Sequence, residues 1–158
     1  MCLPNAKHVY KVEKEWEHAG LLCAVVQGRE GSNRCGYVRV PPTHPHYKKD
    51  YNDVDVDVHG GLTFAAIEPC VEHEDGIGWW FGFDCAHCYD ASIDPQFNQS
   101  WSDSTKQVWE IHQRYLISGE HFWSHEEVVA ETERLAAQLA AQPSPAVERP
   151  APNKENRG

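Results

Sequence analysis

The chain lacks any apolar run approaching the roughly 18 residues that a membrane-spanning helix needs, and it has no basic segment leading into an apolar one at its start. Neither a transmembrane span nor a secretory leader is therefore expected. It also has no cluster of Lys or Arg interleaved with aromatics, and positive charge is scarce overall, with 14 Lys and Arg against 24 Asp and Glu and a formal net charge of −10. Binding to a nucleic-acid backbone is disfavoured unless a metal supplies the missing charge. No internal repeat is visible. No second Cys-x-x-Cys accompanies the one at Cys85 and Cys88, and the other cysteines, Cys2, Cys23, Cys35 and Cys70, are isolated. Free thiols are the expectation for such a set in a reducing compartment, with a Cys23 to Cys35 disulfide the alternative.

What is present suffices for one core. With 158 residues, 41% of them hydrophobic, the chain fits a single domain over residues 1–141. Residues 142–158 form a tail in which Pro143, Pro145, Pro150 and Pro152 separate small and charged residues, too little apolar surface to order itself.

The most informative segment is residues 53–59, Asp-Val-Asp-Val-Asp-Val-His, followed by Gly60-Gly61. Strict alternation places Asp53, Asp55, Asp57 and His59 on one face of an extended chain and three valines on the other. Carboxylates two residues apart along a strand are about 6.6 Å apart and repel by roughly 0.6 kcal/mol in water, and by severalfold more when partly buried. The row therefore calls for a cation, for hydrogen-bond donors, or for full solvation as an acidic edge that keeps other chains from pairing. Gly60-Gly61 is a two-residue hairpin signal, which predicts that residues 62–67 return as a strand paired with 53–59.

Elsewhere, Val9, Val12 and Trp16 have helical spacing with Gly20 as a C-terminal cap, predicting a short helix over 6–19. Residues 21–27 and 36–40 read as a hairpin, and 79–83 as a central apolar strand. His44 and His46 lie in a proline-stiffened loop. Val108, Ile111 and Tyr115 favour a helix over 103–117, although Val-Trp-Glu-Ile also suits a strand. Ser124 to Glu127 matches a capping box, and Val128, Thr132, Leu135 and Leu139 then form one helical stripe.

A second cluster follows the apolar strand. Residues 84–90 hold Asp84, Cys85, His87, Cys88 and Asp90. In an antiparallel meander of 53–59, 62–67 and 79–84, the ends at His59 and Asp84 emerge at one sheet edge. Four chemistries compete for these groups: a zinc site using Cys85 and Cys88, a thioredoxin-like dithiol, a cysteine nucleophile paired with His59, and a mixed oxygen and nitrogen site for a divalent ion. Asp84 also has a purely structural alternative, capping the turn that follows it.

The runs from Asp53 to Phe64 and from Trp80 to Asp90, centred on His59-Gly60-Gly61-Leu62-Thr63 and Gly82-Phe83-Asp84-Cys85-Ala86-His87, resemble a group of small, poorly characterised phage and prophage-associated proteins. The loop from Gly36 to Tyr47 and the final helix are similar as well. The resemblance implies a phage-type accessory protein in the cytoplasm of a host bacterium. It brings no residue roles with it.

The expectation is thus an α+β domain with an antiparallel sheet of about five strands, flanking helices and a disordered tail. Asp55, Asp57, His59, Asp84, His87 and Asp90 are the candidate ligands for zinc, manganese or magnesium, with hydrolysis as the chemistry such a site supports. Trp80, Trp101, His44 and His46 are candidates for contacting a small-molecule ligand. Sequestration of a small host molecule, or inhibition of a host protein, is the non-catalytic alternative.

Overall fold

The computed structural model of the chain describes residues 10–28, 31–69, 77–91, 102–115 and 120–142. Trp101 and the Pro-rich segment from residue 143 onward lie outside them. The architecture is α+β, with a five-stranded, fully antiparallel sheet in the order β1-β2-β3-β5-β4. The strands are β1 (Tyr10–His18), β2 (Leu21–Gly28), β3 (Arg34–Val40), β4 (Phe64–Pro69) and β5 (Ile77–Asp84), and among the described residues the helices α1 (Asp103–Tyr115) and α2 (His125–Ala140) follow.

Where the expected helix over 6–19 falls on described residues it is instead β1, and residues 6–9 lie outside them. The register with β2 runs Val12↔Val26 and then Lys14↔Val25, so Glu13 is an extra residue in a bulge. A bulge moves everything beyond it to the opposite face. Val12 accordingly packs on one side of the sheet and Trp16 on the other. Such face switching breaks the period of two that would have marked a strand. Gly20 does have positive φ (+78°), but with Ala19 (+51°) it forms the tight β1–β2 turn that joins His18 to Leu21, not a helix cap.

The β2–β3 hairpin and the interior position of β5 agree with the sequence expectation. Cys23 and Cys35 are free thiols placed opposite Val38 and Val26, not opposite one another. Burial pushes the Cys23 thiol up to about 12 and the Cys35 thiol to about 11, so both behave as apolar core groups.

Helix α2 follows its sequence signals closely. Ser124 Oγ accepts from Glu127 N and the Glu127 carboxylate accepts from Ser124 N, a complete capping box. Val128, Thr132, Leu135, Ala136 and Leu139 are all fully buried. They pack on β2 and β3, where Gly36 leaves the space that Thr132 and Phe83 fill; a Cβ there would stand 2.3 Å from Thr132 Oγ1. Helix α1 forms where expected, yet Val108 and Ile111 on it are more than half exposed.

The alternating segment is not a strand and does not pair with β4. Residues 51–53 form a 3-10 turn, and residues 54–58 run extended beside α2. Their valines do point inward, with Val54 and Val58 buried and Val56 partly so. The backbone groups find helix side chains in place of a neighbouring strand: Asp57 N donates to Gln138 Oε1 and Asp57 O accepts from Gln138 Nε2, each at 2.7 Å, while His59 N donates to Glu131 Oε1 at 2.6 Å. The amide of Gln138 thus supplies the donor and acceptor that a paired residue would. Gly61 N donates to Val58 O at 2.9 Å, so the turn is centred on His59-Gly60, one residue earlier than the Gly-Gly signal suggests.

Candidate metal centre

Residues 84–91 leave the end of β5 and run beside residues 120–123, which lead into α2. Asp90 and His121 form a parallel bridge in which His121 N donates to Tyr89 O and Ala91 N donates to His121 O, both at 2.8 Å. The bridge presents the Asp90 side chain to the turn at His59. With its side chain only 4% exposed, Asp90 accepts from His59 Nε2 at 2.8 Å and from His87 N at 2.8 Å through Oδ2, and from Trp123 Nε1 at 3.0 Å through Oδ1. Burial alone would raise this carboxyl, but hydrogen bonds from His59, the His87 amide and Trp123, together with the nearby His59 ring, hold it below its ordinary value.

His87 is packed against the turn itself. A Cβ on Gly60 would lie 2.1–2.5 Å from three of its ring atoms, so only glycine lets the ring rest there. Its Nδ1 faces Asp90 Oδ2 at 3.5 Å and Asp84 Oδ1 at 3.9 Å, and this buried atom makes no hydrogen bond. The His59 and His87 rings meet edge to face at 5.2 Å, and His59 also lies against Trp123 at 4.3 Å. One ligand atom from each of His59, His87 and Asp90 falls within 4.8 Å of the others, and among the described residues this is the group of three with that property.

The other candidate ligands are not part of this group. Asp55 and Asp57 point to solvent; Asp57 is 88% exposed and pairs with Arg134 at 2.7 Å. The reason is geometric, since residues 54–58 turn their valines into the core and leave the carboxylates outward. Asp84 stands at the rim. Its Oδ1 accepts from Ala86 N at 3.1 Å, the turn-capping role, and its Oδ2 accepts from Thr63 Oγ1 at 2.8 Å. Cys85 is buried and its thiol is pushed far up, chiefly by burial, while Cys88 is exposed. A Cys85 nucleophile and a joint cysteine site have no geometric support in this arrangement.

The candidate ligand contacts fare differently. Trp80 is fully buried between β3 and β4 on the face of the sheet away from α2, among Ala24, Val26 and Cys35, and is core rather than pocket wall. His44 Nε2 meets Leu139 O at 2.9 Å at the C-terminal end of α2, and His44 Nδ1 accepts from His46 N at 3.1 Å. Neither residue is near the His59 group by any contact of the structure. Trp101 lies outside the described residues.

Sequence reasoning missed Trp123 and Glu131, the two side chains that steady Asp90 and His59. A local signal for Trp123 existed: it directly precedes the N-cap of α2, the staple position that pairs with an apolar residue such as Val128, and both belong to the same packed core. Glu131 has no such signal, because its partner is a backbone amide 72 residues away.

Compared with protein-family models, with curated proteins and with solved structures, the chain matches none.

Proposed function

We propose that this is a phage-type accessory protein that binds a divalent transition metal through His59, His87 and Asp90, with hydrolysis as its chemistry. The phage context draws on the resemblance of the two segments alone. The observation that carries the metal reading is the buried, unpartnered Nδ1 of His87 facing the Asp90 carboxylate at 3.5 Å. An imidazole nitrogen so placed is either an uncompensated polar atom or a ligand waiting for its ion. Asp90 Oδ2 lies 2.8 Å from His59 Nε2 and 3.5 Å from His87 Nδ1, on either side of the separation of about 3.3 Å expected between ligand atoms bonded at 2.0–2.1 Å in a tetrahedral site, and ligand atoms of all three residues fall within 4.8 Å of one another. Two imidazoles and one carboxylate favour zinc, and after it manganese, over magnesium, which prefers oxygen ligands.

Three protein ligands leave a position for water, and a bound ion of this kind lowers the pKa of that water to about 7. The protein's own residues contribute orientation. Trp123 Nε1 and the His87 amide hold the Asp90 carboxylate, and Glu131 fixes the His59 backbone. A carboxylate can only accept, so His59 Nε2 carries the proton in its contact with Asp90, and a metal held at that atom would displace the proton to Nδ1 or to solvent.

Titration of zinc, manganese and magnesium into the chelator-treated full chain tests this. One zinc per chain, lost in His59→Ala, His87→Ala and Asp90→Ala, is the expected result. A wild type that binds none of the three ions reduces the group to a hydrogen-bond hub. Hydrolysis of p-nitrophenyl acetate by the zinc-loaded chain, abolished in Asp90→Ala, would assign the chemistry.

A further inference from the structure

On the face of the sheet away from α2 lies a cleft of about 460 Å³, within the range of about 300–1,000 Å³ typical of small-ligand sites. It is lined, among the described residues, by Asn33, Tyr37, Thr63, Phe64, Phe83 and Asp84 together with smaller groups. We infer that this cleft binds a small organic cation, an amine carried on a flat apolar body, with the ammonium beside Asp84 and the body against Tyr37 and Phe64.

The strand register builds the cleft. Gly82 lies opposite both Tyr37 on β3 and Phe64 on β4, and the Tyr37 ring takes the space its missing side chain leaves, so the two aromatics together form one wall of the cleft. Tyr37 leans over the gap, where a Cβ on Gly82 would come within 2.5 Å of its ring, and it meets Phe64 edge to face at 5.3 Å. Two residues further along the same face of β5 comes Asp84, opposite Cys35. Its carboxylate is held by neutral donors, the Thr63 hydroxyl and the Ala86 amide, and among the described residues no Lys or Arg pairs with it. The side chain remains 32% exposed.

No Lys, Arg or His is among the described lining residues. An anionic ligand would meet a carboxylate with no compensating charge, in a protein whose net charge is already −10. A cation gains from the carboxylate and from the negative faces of the aromatic rings, the combination that recognises ammonium ligands elsewhere. The cleft also adjoins the His59 group, since Asp84 Oδ1 is 3.9 Å from His87 Nδ1. If the metal reading holds, amine-bearing compounds are the substrate class of that centre, and this last step alone rests on it.

Calorimetric titration of the metal-free full chain with 2-phenylethylamine, 2-phenylethanol and 3-phenylpropanoate tests the inference, because the three probes share a body and differ in charge. The amine is expected to bind at least about tenfold more tightly than the alcohol, which corresponds to about 1.4 kcal/mol, and the carboxylate not at all. Asp84→Asn, which keeps the shape and an acceptor oxygen, should bring the amine down to the level of the alcohol, and Phe64→Ala should weaken both. Equal binding of amine and alcohol by the wild type, no binding of any probe, or an amine preference that survives Asp84→Asn overturns the inference. The wild-type series needs no variant to fold. Binding of the amine by His87→Ala protein that has lost zinc affinity separates this cleft from the metal centre, so either can fail without the other.

Discussion

Residues 53–59 and residues 84–90 carry similar chemistry, each with carboxylates and a histidine in seven positions, yet the fold uses them in opposite ways. The first has the more regular pattern. Its Asp57 is 88% exposed and balanced by Arg134, and only His59, at the turn, enters the cluster. The second is irregular, and its Asp90 is 4% exposed and receives three hydrogen bonds. Density of charge thus marks a surface, whereas a carboxylate withdrawn from water and held by fixed donors marks a site, because only the latter needs partners to exist.

Substitution at the two regions should break this contrast sharply. Asp90→Ala leaves the donors of His59, His87 and Trp123 facing a void, and a loss of about 3 kcal/mol in urea unfolding is expected, with zinc affinity abolished. A loss under about 1 kcal/mol would show that the carboxylate is not the hub. Removal of Arg34, whose buried guanidinium grips Glu13 at 2.6 and 3.2 Å and donates to Trp123 O at 3.0 Å, should cost about 2 kcal/mol, because among the described residues Glu13 keeps only His125 as an ionic partner, at 3.2 Å. Zinc binding should fall with it, since Trp123 loses its backbone anchor.

The two glycines of the turn offer a finer comparison. Gly60→Ala combines positive φ (+65°) with a collision against the His87 ring, whereas Gly61→Ala (φ +82°) meets open space. Both should lose about 1–2 kcal/mol to backbone strain, but only Gly60→Ala should also weaken zinc binding in titration. Trp123→Phe keeps the ring against His59 and deletes the donor to Asp90, and a drop of about tenfold or more in zinc affinity is expected.

Acid should act through the same carboxylate. Because the Asp90 carboxyl lies below its ordinary value in the folded chain, its contribution is complete above the unfolded value near 3.8 and disappears as pH falls through the lower folded value. Urea midpoints measured from pH 5 down to 2 should therefore fall more steeply for the wild type than for Asp90→Asn. The smallest effect belongs to the acidic row: Asp55→Asn and Asp57→Asn should change stability by no more than about 0.5 kcal/mol and leave zinc titrations unaltered.

Much of the fold was readable where local chemistry decides it. The capping box at Ser124 and the stripe from Val128 to Leu139 specify α2 without reference to anything else, and the apolar runs of β2 and β5 mark interior strands. Strand β1 was not readable, because the Glu13 bulge transfers Trp16 to the opposite face and leaves Val12 and Trp16 at a spacing that a helix would share. Trp80 is a candidate pocket wall for which core packing is the stronger reading, and it is buried among Ala24, Val26 and Cys35. Of the candidate ligands, His59, His87 and Asp90 converge as the spacing allowed, although through a turn and a bridged loop rather than through a three-strand meander.

The sequence by itself determined which residues of 54–58 share a face, where α2 begins, and which loop carries ligating groups, since periodicity and capping act within a few residues. Only the tertiary structure decided that α2, through Gln138 and Glu131, takes the place of a partner strand, and that His121 pairs with Asp90 to bring Trp123 against the histidines. Those choices rest on hydrogen-bond partners dozens of residues apart, selected because each buried backbone or carboxylate group must find some donor or acceptor when water is excluded.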